Sequence, residues 1–161
     1  MLILNIHIEP YLAQYAIKKY PSYIPNVVRF PSYSLMNTAI LSRLKMKPYI
    51  QKAPNGNLGV MLNEENNKSK RTDVYNWISR NDESVVERML RLDFDMTLHY
   101  YFDSNRNRRG IGYNDSAELF VRDFGLEELI GTDALLKKHV RWKKMVREQS
   151  LRKNQQTEMN F

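Results

Sequence analysis

Apolar and polar positions change period along the chain, and each change marks an element. Leu2, Leu4, Ile6 and Ile8 alternate with Ile3, Asn5 and His7, the period of two that a half-buried strand requires. Pro10 suits the first turn of a helix, and Tyr11, Leu12, Tyr15 and Ala16 give that helix an apolar stripe. Pro21, Ser22 and Pro25 break it, and Val27 to Phe30 reads as a short strand ended by Pro31. Ser34 caps a helix carrying Leu35, Met36, Ala39, Ile40 and Leu44, which Pro48 stops. Tyr49 to Lys52 and Asn57 to Leu62 flank Pro54-Asn55-Gly56, a hairpin signal. Residues 1–62 thus form a small α/β lobe in the order β-α-β-α-β-β.

Residues 63–71 are polar throughout and read as a linker. Only helices are expected beyond it, in a lobe over 72–150. Thr72 or Asp73 begins a short helix holding Val74, Trp77 and Ile78. Ser84 and Glu87 have the spacing of a capping box ahead of a long helix reaching about Phe102. Its apolar ladder is Val86, Leu90, Phe94, Leu98 and Phe102, reinforced by Val85, Met89, Leu92 and Met96. Residues 103–112, with Arg106, Arg108, Arg109 and two glycines, read as a basic loop. Asn114 or Asp115 caps a further helix, which Gly125 ends. After a connection over 126–131, Thr132 caps a last helix to about Glu148 whose apolar positions are Leu135, Leu136, Val140, Trp142 and Val146. Residues 151–161 are read as a flexible tail. The fold class is therefore α+β: a small mixed sheet lobe followed by an all-helical lobe with a helix-turn-helix-like pair.

Charge separates the ends from the middle. The chain has 161 residues and a net charge of +7. Residues 1–62 hold seven Lys and Arg against Glu9, residues 63–104 carry −3, and residues 105–161 carry +4. The segment 137–153 alone carries +7. Such a concentration of cations attracts polyanions. No cysteine is present, which excludes disulfides, thiolate metal sites and cysteine nucleophiles. No apolar run approaches the roughly 20 residues that span a bilayer, and no signal-peptide pattern opens the chain. A cytoplasmic protein without a membrane partner is expected.

The sharpest candidate chemistry lies in the last sixty residues. A capped helix, a glycine at its end, a short connection and a second helix rich in Lys and Arg follow the plan of a helix-turn-helix, whose second helix enters the major groove. Lys137, Arg141 and Lys144 recur at spacings of four and three, hence on one face, with Lys138 and Arg147 at its margins. Arg106, Arg108 and Arg109 assist from the expected loop, and Thr132 stands where free helix amides meet a phosphate. These residues are read as neutralising phosphates, with Arg141 and Lys137 nearest the bases. An ordinary helical hairpin with a hydrated basic side has the same pattern.

The stretch Tyr113-Asn114-Asp115-Ser116-Ala117-Glu118-Leu119-Phe120-Val121-Arg122-Asp123-Phe124-Gly125-Leu126 resembles the helix and turn of phage regulators of the Mor transcription-activator type. The resemblance covers about residues 113–147. It implies a basic second helix that binds duplex DNA, a role in transcription regulation in a phage or mobile element, and a dimer on paired half-sites.

Two other constellations compete. Glu87, Arg91, Asp95, His99 and Asp103 recur every four residues, the pattern of a salt-bridged, solvated face. A metal is not expected there, since steps of about 6 Å spread the ligands too far. Lys18, Lys19, Tyr20, Lys45, Lys47, Tyr49 and Lys52 interleave bases and rings, as single-strand and RNA binders do. A protein–protein adaptor using Tyr15, Tyr23, Tyr33 and Tyr49 is the further alternative. With no phosphate-cradling glycine loop, no nucleophile elbow and no metalloprotease helix, neither a catalytic residue nor a cofactor or small-molecule substrate is expected. The chain reads as a non-enzymatic DNA-binding protein.

Overall fold

The computed structural model describes residues 2–47, 56–62 and 74–158, with side chains described as far as Arg152. The chain is α+β: a small mixed sheet near the N-terminus, and helices after it. Strand β1 (Leu2–Ile6) leads into helix α1 (Pro10–Lys19), strand β2 (Val27–Val28), helix α2 (Leu35–Arg43) and strand β3 (Lys45–Met46). Strands β4 (Leu58–Leu62) and β5 (Tyr75–Trp77) follow, then helices α3 (Arg80–Arg109), α4 (Tyr113–Phe124) and α5 (Thr132–Glu158). No helix among the described residues is long and apolar enough to cross a membrane.

β4 is the central strand of a three-stranded sheet in the order β1-β4-β2. It runs antiparallel to β1, from Leu2 opposite Leu62 to Ile6 opposite Leu58, and parallel to β2, with Val27 opposite Gly59. All five of its residues are buried, so it shows the continuous apolar run of a covered strand rather than alternation. The expected first arm of a hairpin, Tyr49 to Lys52, lies outside the described residues, as does the polar segment 63–71. The partners of β4 here come from β1 and β2.

Local signals explain most helix ends. Pro10 occupies the first turn of α1, and the Ser34 side chain accepts the Asn37 amide at the start of α2. α4 begins one or two residues before its expected cap, with the Ser116 amide on the Gly112 carbonyl. It ends before Gly125, whose φ of +65° is costly for other residues.

Four expectations are corrected. Tyr75–Trp77 is a strand on β3, with Lys45 opposite Trp77, where a short helix was expected; the alternating Tyr75 and Trp77 find an edge to pair with. α3 starts at Arg80 because Ser79 and Asp82, not Ser84 and Glu87, make the capping box: the Ser79 amide donates to the Asp82 carboxylate and the Asp82 amide to the Ser79 hydroxyl. The same helix runs seven residues past Phe102 to Arg109, absorbing the expected basic loop. Buried Asn105 carries it onward, and Gly110, at φ +68°, closes it as the Ile111 amide reaches back to the Asn105 carbonyl. α5 continues to Glu158 through the first eight residues of the expected flexible tail.

Contacts divide the chain into two compact units, residues 1–96 with 124–126 and residues 97–123 with 127–161. α3 contributes to both. Its ladder Val86, Leu90, Phe94, Leu98 and Phe102 is fully buried, and a spacing of four advances the ladder about 40° per step around the helix. In the first unit Phe94 meets the rings of Tyr11 and Tyr15 edge-on at 5.2 and 5.1 Å. In the second, Phe102 packs with Tyr113, Phe120 and His139. The reinforcing row follows it only in part: Val85 and Met89 are half-buried, whereas Leu92 is 61% and Met96 73% exposed. Truncating Phe94 to Ala is expected to cost about 3–5 kcal/mol in denaturant unfolding, whereas Leu92→Ala changes stability by under about 0.5 kcal/mol. Equal costs would contradict this placement of the core.

Candidate nucleic-acid interface

The second unit holds α5 by an aromatic and polar seam. Leu135 and His139 of α5 are buried, Trp142 is half-buried, and the three follow at spacings of four and three. His139 faces His99 of α3 with their Nδ1 atoms 3.1 Å apart, one ring donating to the other. Trp142 stacks on His99 at 4.3 Å and 10°. Tyr113 of α4 lies 4.9 Å from the His139 ring. The Asp103 carboxylate sits 3.6 Å from His139 Nε2 and 3.2 Å from Lys143 Nζ, and Lys143 also donates to the Tyr113 hydroxyl. These contacts of His99 and Asp103 with His139, Trp142 and Lys143 fix α5 against the C-terminal part of α3.

Burial shapes the titration of this seam. Loss of solvation pushes the His139 imidazole below its ordinary value, against the attraction of Asp103 and with the repulsion of Lys143. The hydrogen bond to Tyr113, and behind it that to Asp103, holds the Lys143 ammonium above its usual range despite its burial. Two imidazolium rings whose centres lie 5.3 Å apart repel by about 3 kcal/mol at an effective dielectric of about 20.

Opposite the seam α5 presents its cations. Lys137, Arg141, Lys144 and Arg147 are exposed and form no ion pair among the described residues. Lys138 is half-buried on the flank of this face. The exposed aliphatics Val140 and Leu151 interleave with the cations, and a groove here is lined by Val140, Lys143, Lys144, Arg147, Glu148 and Leu151, so one carboxylate, Glu148, lies among the cations. Lys143, not among the expected contact residues, is the cation of this helix spent on structure. Thr132 is the first residue of α5 rather than its cap: the Gly131 carbonyl accepts the Ala134 and Leu135 amides. Arg106, Arg108 and Arg109 are exposed on the last turn of α3, not on a loop.

The remaining constellations are engaged internally. Arg91 bridges Glu87 at 2.8 Å and Glu9 at 2.9 Å, as a salt-bridged face requires, but His99 leaves that face for the core. Lys19 donates to Asp93, which also accepts from the Tyr15 and Tyr20 hydroxyls. Proximity to Asp93 and, above all, burial push the Tyr20 phenol far up. Lys45 is bound to Asp82 at 2.7 Å. Tyr15 is fully buried, while Tyr23 and Tyr33 are exposed; Tyr49 and Lys52 lie outside the described residues. A concavity of the first unit is lined by His7, Glu9, Arg80, Glu83, Ser84 and Glu87. Its carboxylates are occupied: Glu83 accepts from the His7 amide and Arg80, Glu87 from the Glu9 amide and Arg91. Among the described residues no group of three His, Asp or Glu side chains is disposed to hold a metal ion.

Comparison with protein-family models, with curated proteins and with solved structures finds no match. Asp103 is the hub of the seam, and Asp103→Asn is expected to lower stability by about 1 kcal/mol, the worth of a half-exposed ion pair. Because the lost carboxylate favours the protonated ring, histidine NMR is expected to show the His139 titration moving to still lower pH. Movement to higher pH would contradict the assigned geometry.

Proposed function

We propose that the protein binds duplex DNA through the exposed face of α5, as a small regulator of the kind found in phages and mobile elements. The observation that carries this reading is the set of four exposed cations, Lys137, Arg141, Lys144 and Arg147, on one docked helix, none in an ion pair among the described residues. Their charge serves mainly to neutralise phosphates and release counterions. Arg141 and Lys137 sit in the first turns of α5, the part of a recognition helix that approaches base edges. Val140 between them offers an apolar contact of the kind a thymine methyl accepts. Arg106, Arg108 and Arg109 extend the positive surface from the end of α3. A dimer on two half-sites is the arrangement this motif ordinarily uses.

Single-strand binding by the N-terminal unit is disfavoured, because Lys19 and Lys45 are engaged by Asp93 and Asp82. Exposed Tyr23, Tyr33 and Leu35 favour a protein partner on that unit as the second reading.

Lys137→Glu with Arg141→Glu is expected to lower duplex affinity at least about tenfold and to reduce the salt slope of log K by about 2, with the circular dichroism unchanged. Arg88→Glu, an exposed reversal on α3, controls for net charge. Equal affinity of the α5 variant and the control at low salt sinks the proposal and turns attention to the tyrosines.

A further inference from the structure

The apolar stripe that docks α5 ends partway along the helix. Leu135 and His139 are buried, Trp142 is half-buried, and Val146, next at that spacing, is already 38% exposed. The positions that would continue the stripe, Gln149, Ser150 and Lys153, offer nothing apolar to bury. Every residue from Lys144 to Arg152 is exposed, yet the helix runs on to Glu158. At about 1.5 Å per residue this second part of α5 is roughly 22 Å long, and from Lys144 to Arg152 no face of it is covered.

One residue there has the wrong sign for a surface that only neutralises phosphates. Glu148 is the sole acid of the segment 137–153. It is exposed, and among the described residues no ion pair joins it to Lys144 or Arg152, four positions away on either side. It lines the groove of α5 with Val140, Lys144, Arg147 and Leu151, so it faces the way the cations face. A carboxylate in that place repels phosphate oxygens and costs non-specific affinity.

We propose, resting on the DNA-binding reading of α5, that Glu148 reads base sequence: its carboxylate accepts from the exocyclic amino group of a cytosine in the major groove, while Lys144 donates to the guanine of the same pair. A guanine edge shows two acceptors, N7 and O6, and the cytosine beside it one amino donor. A cation and a carboxylate one helical turn apart, with about 5–6 Å between their Cβ atoms, complement that edge. In an A·T pair the amino group lies between two acceptors, adenine N7 and thymine O4, which repel a carboxylate. Arg147 and Arg152, about 140° apart around the helix, lie on either side of Lys144 and Glu148. They are placed for the phosphates of the two groove walls, which fix register without reading sequence. A helix about 10–12 Å across fits a groove about 12 Å wide. The uncovered part of α5 can enter it, whereas the docked part presents one face.

The test is selection of bound duplexes from a randomised pool by the full-length protein and by its Glu148→Ala and Glu148→Gln variants. Affinity for one fixed duplex is measured alongside, and circular dichroism checks the fold of each exposed-site variant. The protein is expected to enrich cytosine at one position about tenfold over the other bases. Glu148→Ala loses that preference while other positions keep theirs, and its affinity for the fixed duplex stays equal or rises. Glu148→Gln moves the preference to adenine, whose amino group and N7 suit an amide. Identical base preferences in the protein and the Ala variant overturn the assignment of Glu148 and leave the DNA reading standing. So does duplex binding with no base preference at all. Failure of the protein to retain any duplex at low salt removes the DNA reading, and the role of Glu148 falls with it.

Discussion

Five side chains at intervals of four, Val86, Leu90, Phe94, Leu98 and Phe102, leave water completely along α3. Each such side chain contributes about 1.5–3 kcal/mol when buried, and a thirty-residue helix has little other reason to persist in water. The row serves both compact units in turn: Phe94 closes on the tyrosines of α1, and Phe102 closes on α4 and α5. Because α3 is continued to Arg109, Asp103 comes to stand beside His139 and Lys143. Had the helix stopped at Phe102, α5 would lack its polar seam.

That seam separates the two faces of α5. Leu135, His139 and Trp142 are spent on docking, with Lys143 tied to Asp103 and Tyr113. Lys137, Arg141, Lys144 and Arg147 are left to solvent. A helix so basic repels itself, and an undocked copy would gain little from order. Fixing it on α3 presents its cations together, which is what a polyanion of regular spacing requires. The polar character of the seam has a cost, since buried imidazoles are poorly solvated.

Much of this was legible in residue order. Period-two alternation located β1, Pro10 and Ser34 located the starts of α1 and α2, and Gly125 located the end of α4. The buried ladder of α3 was legible because its five members are large and regularly spaced. What escaped did so for identifiable reasons. Tyr75–Trp77 is too short to show a period, and its partner β3 is about thirty residues away. In the run Asp103 to Arg109 the weak helix formers Asp103, Ser104, Asn105 and Asn107 alternate with arginines, and the burial of Asn105 and the closing Gly110 accompany its helical form. Two capping boxes compete near the start of α3, and the helix begins at the earlier one, whose Asp82 also binds Lys45. The histidines were the costliest misreading. His99 sits in a row of charges and looks solvated, although Leu135, His139 and Trp142 carry the spacing of a buried stripe. The exposed cations of α5 were legible as a face; that Lys143 would leave them for Asp103 was not.

The central claim, that α5 is a docked helix and not a solvated arm, is tested most directly by residue-resolved amide hydrogen exchange at neutral pH. The account predicts strong protection of the α5 amides from His139 to Val146, comparable with that of α3 from Leu98 to Asn105. Exchange of the α5 amides at the rate of an unstructured peptide, with α3 still protected, would contradict it.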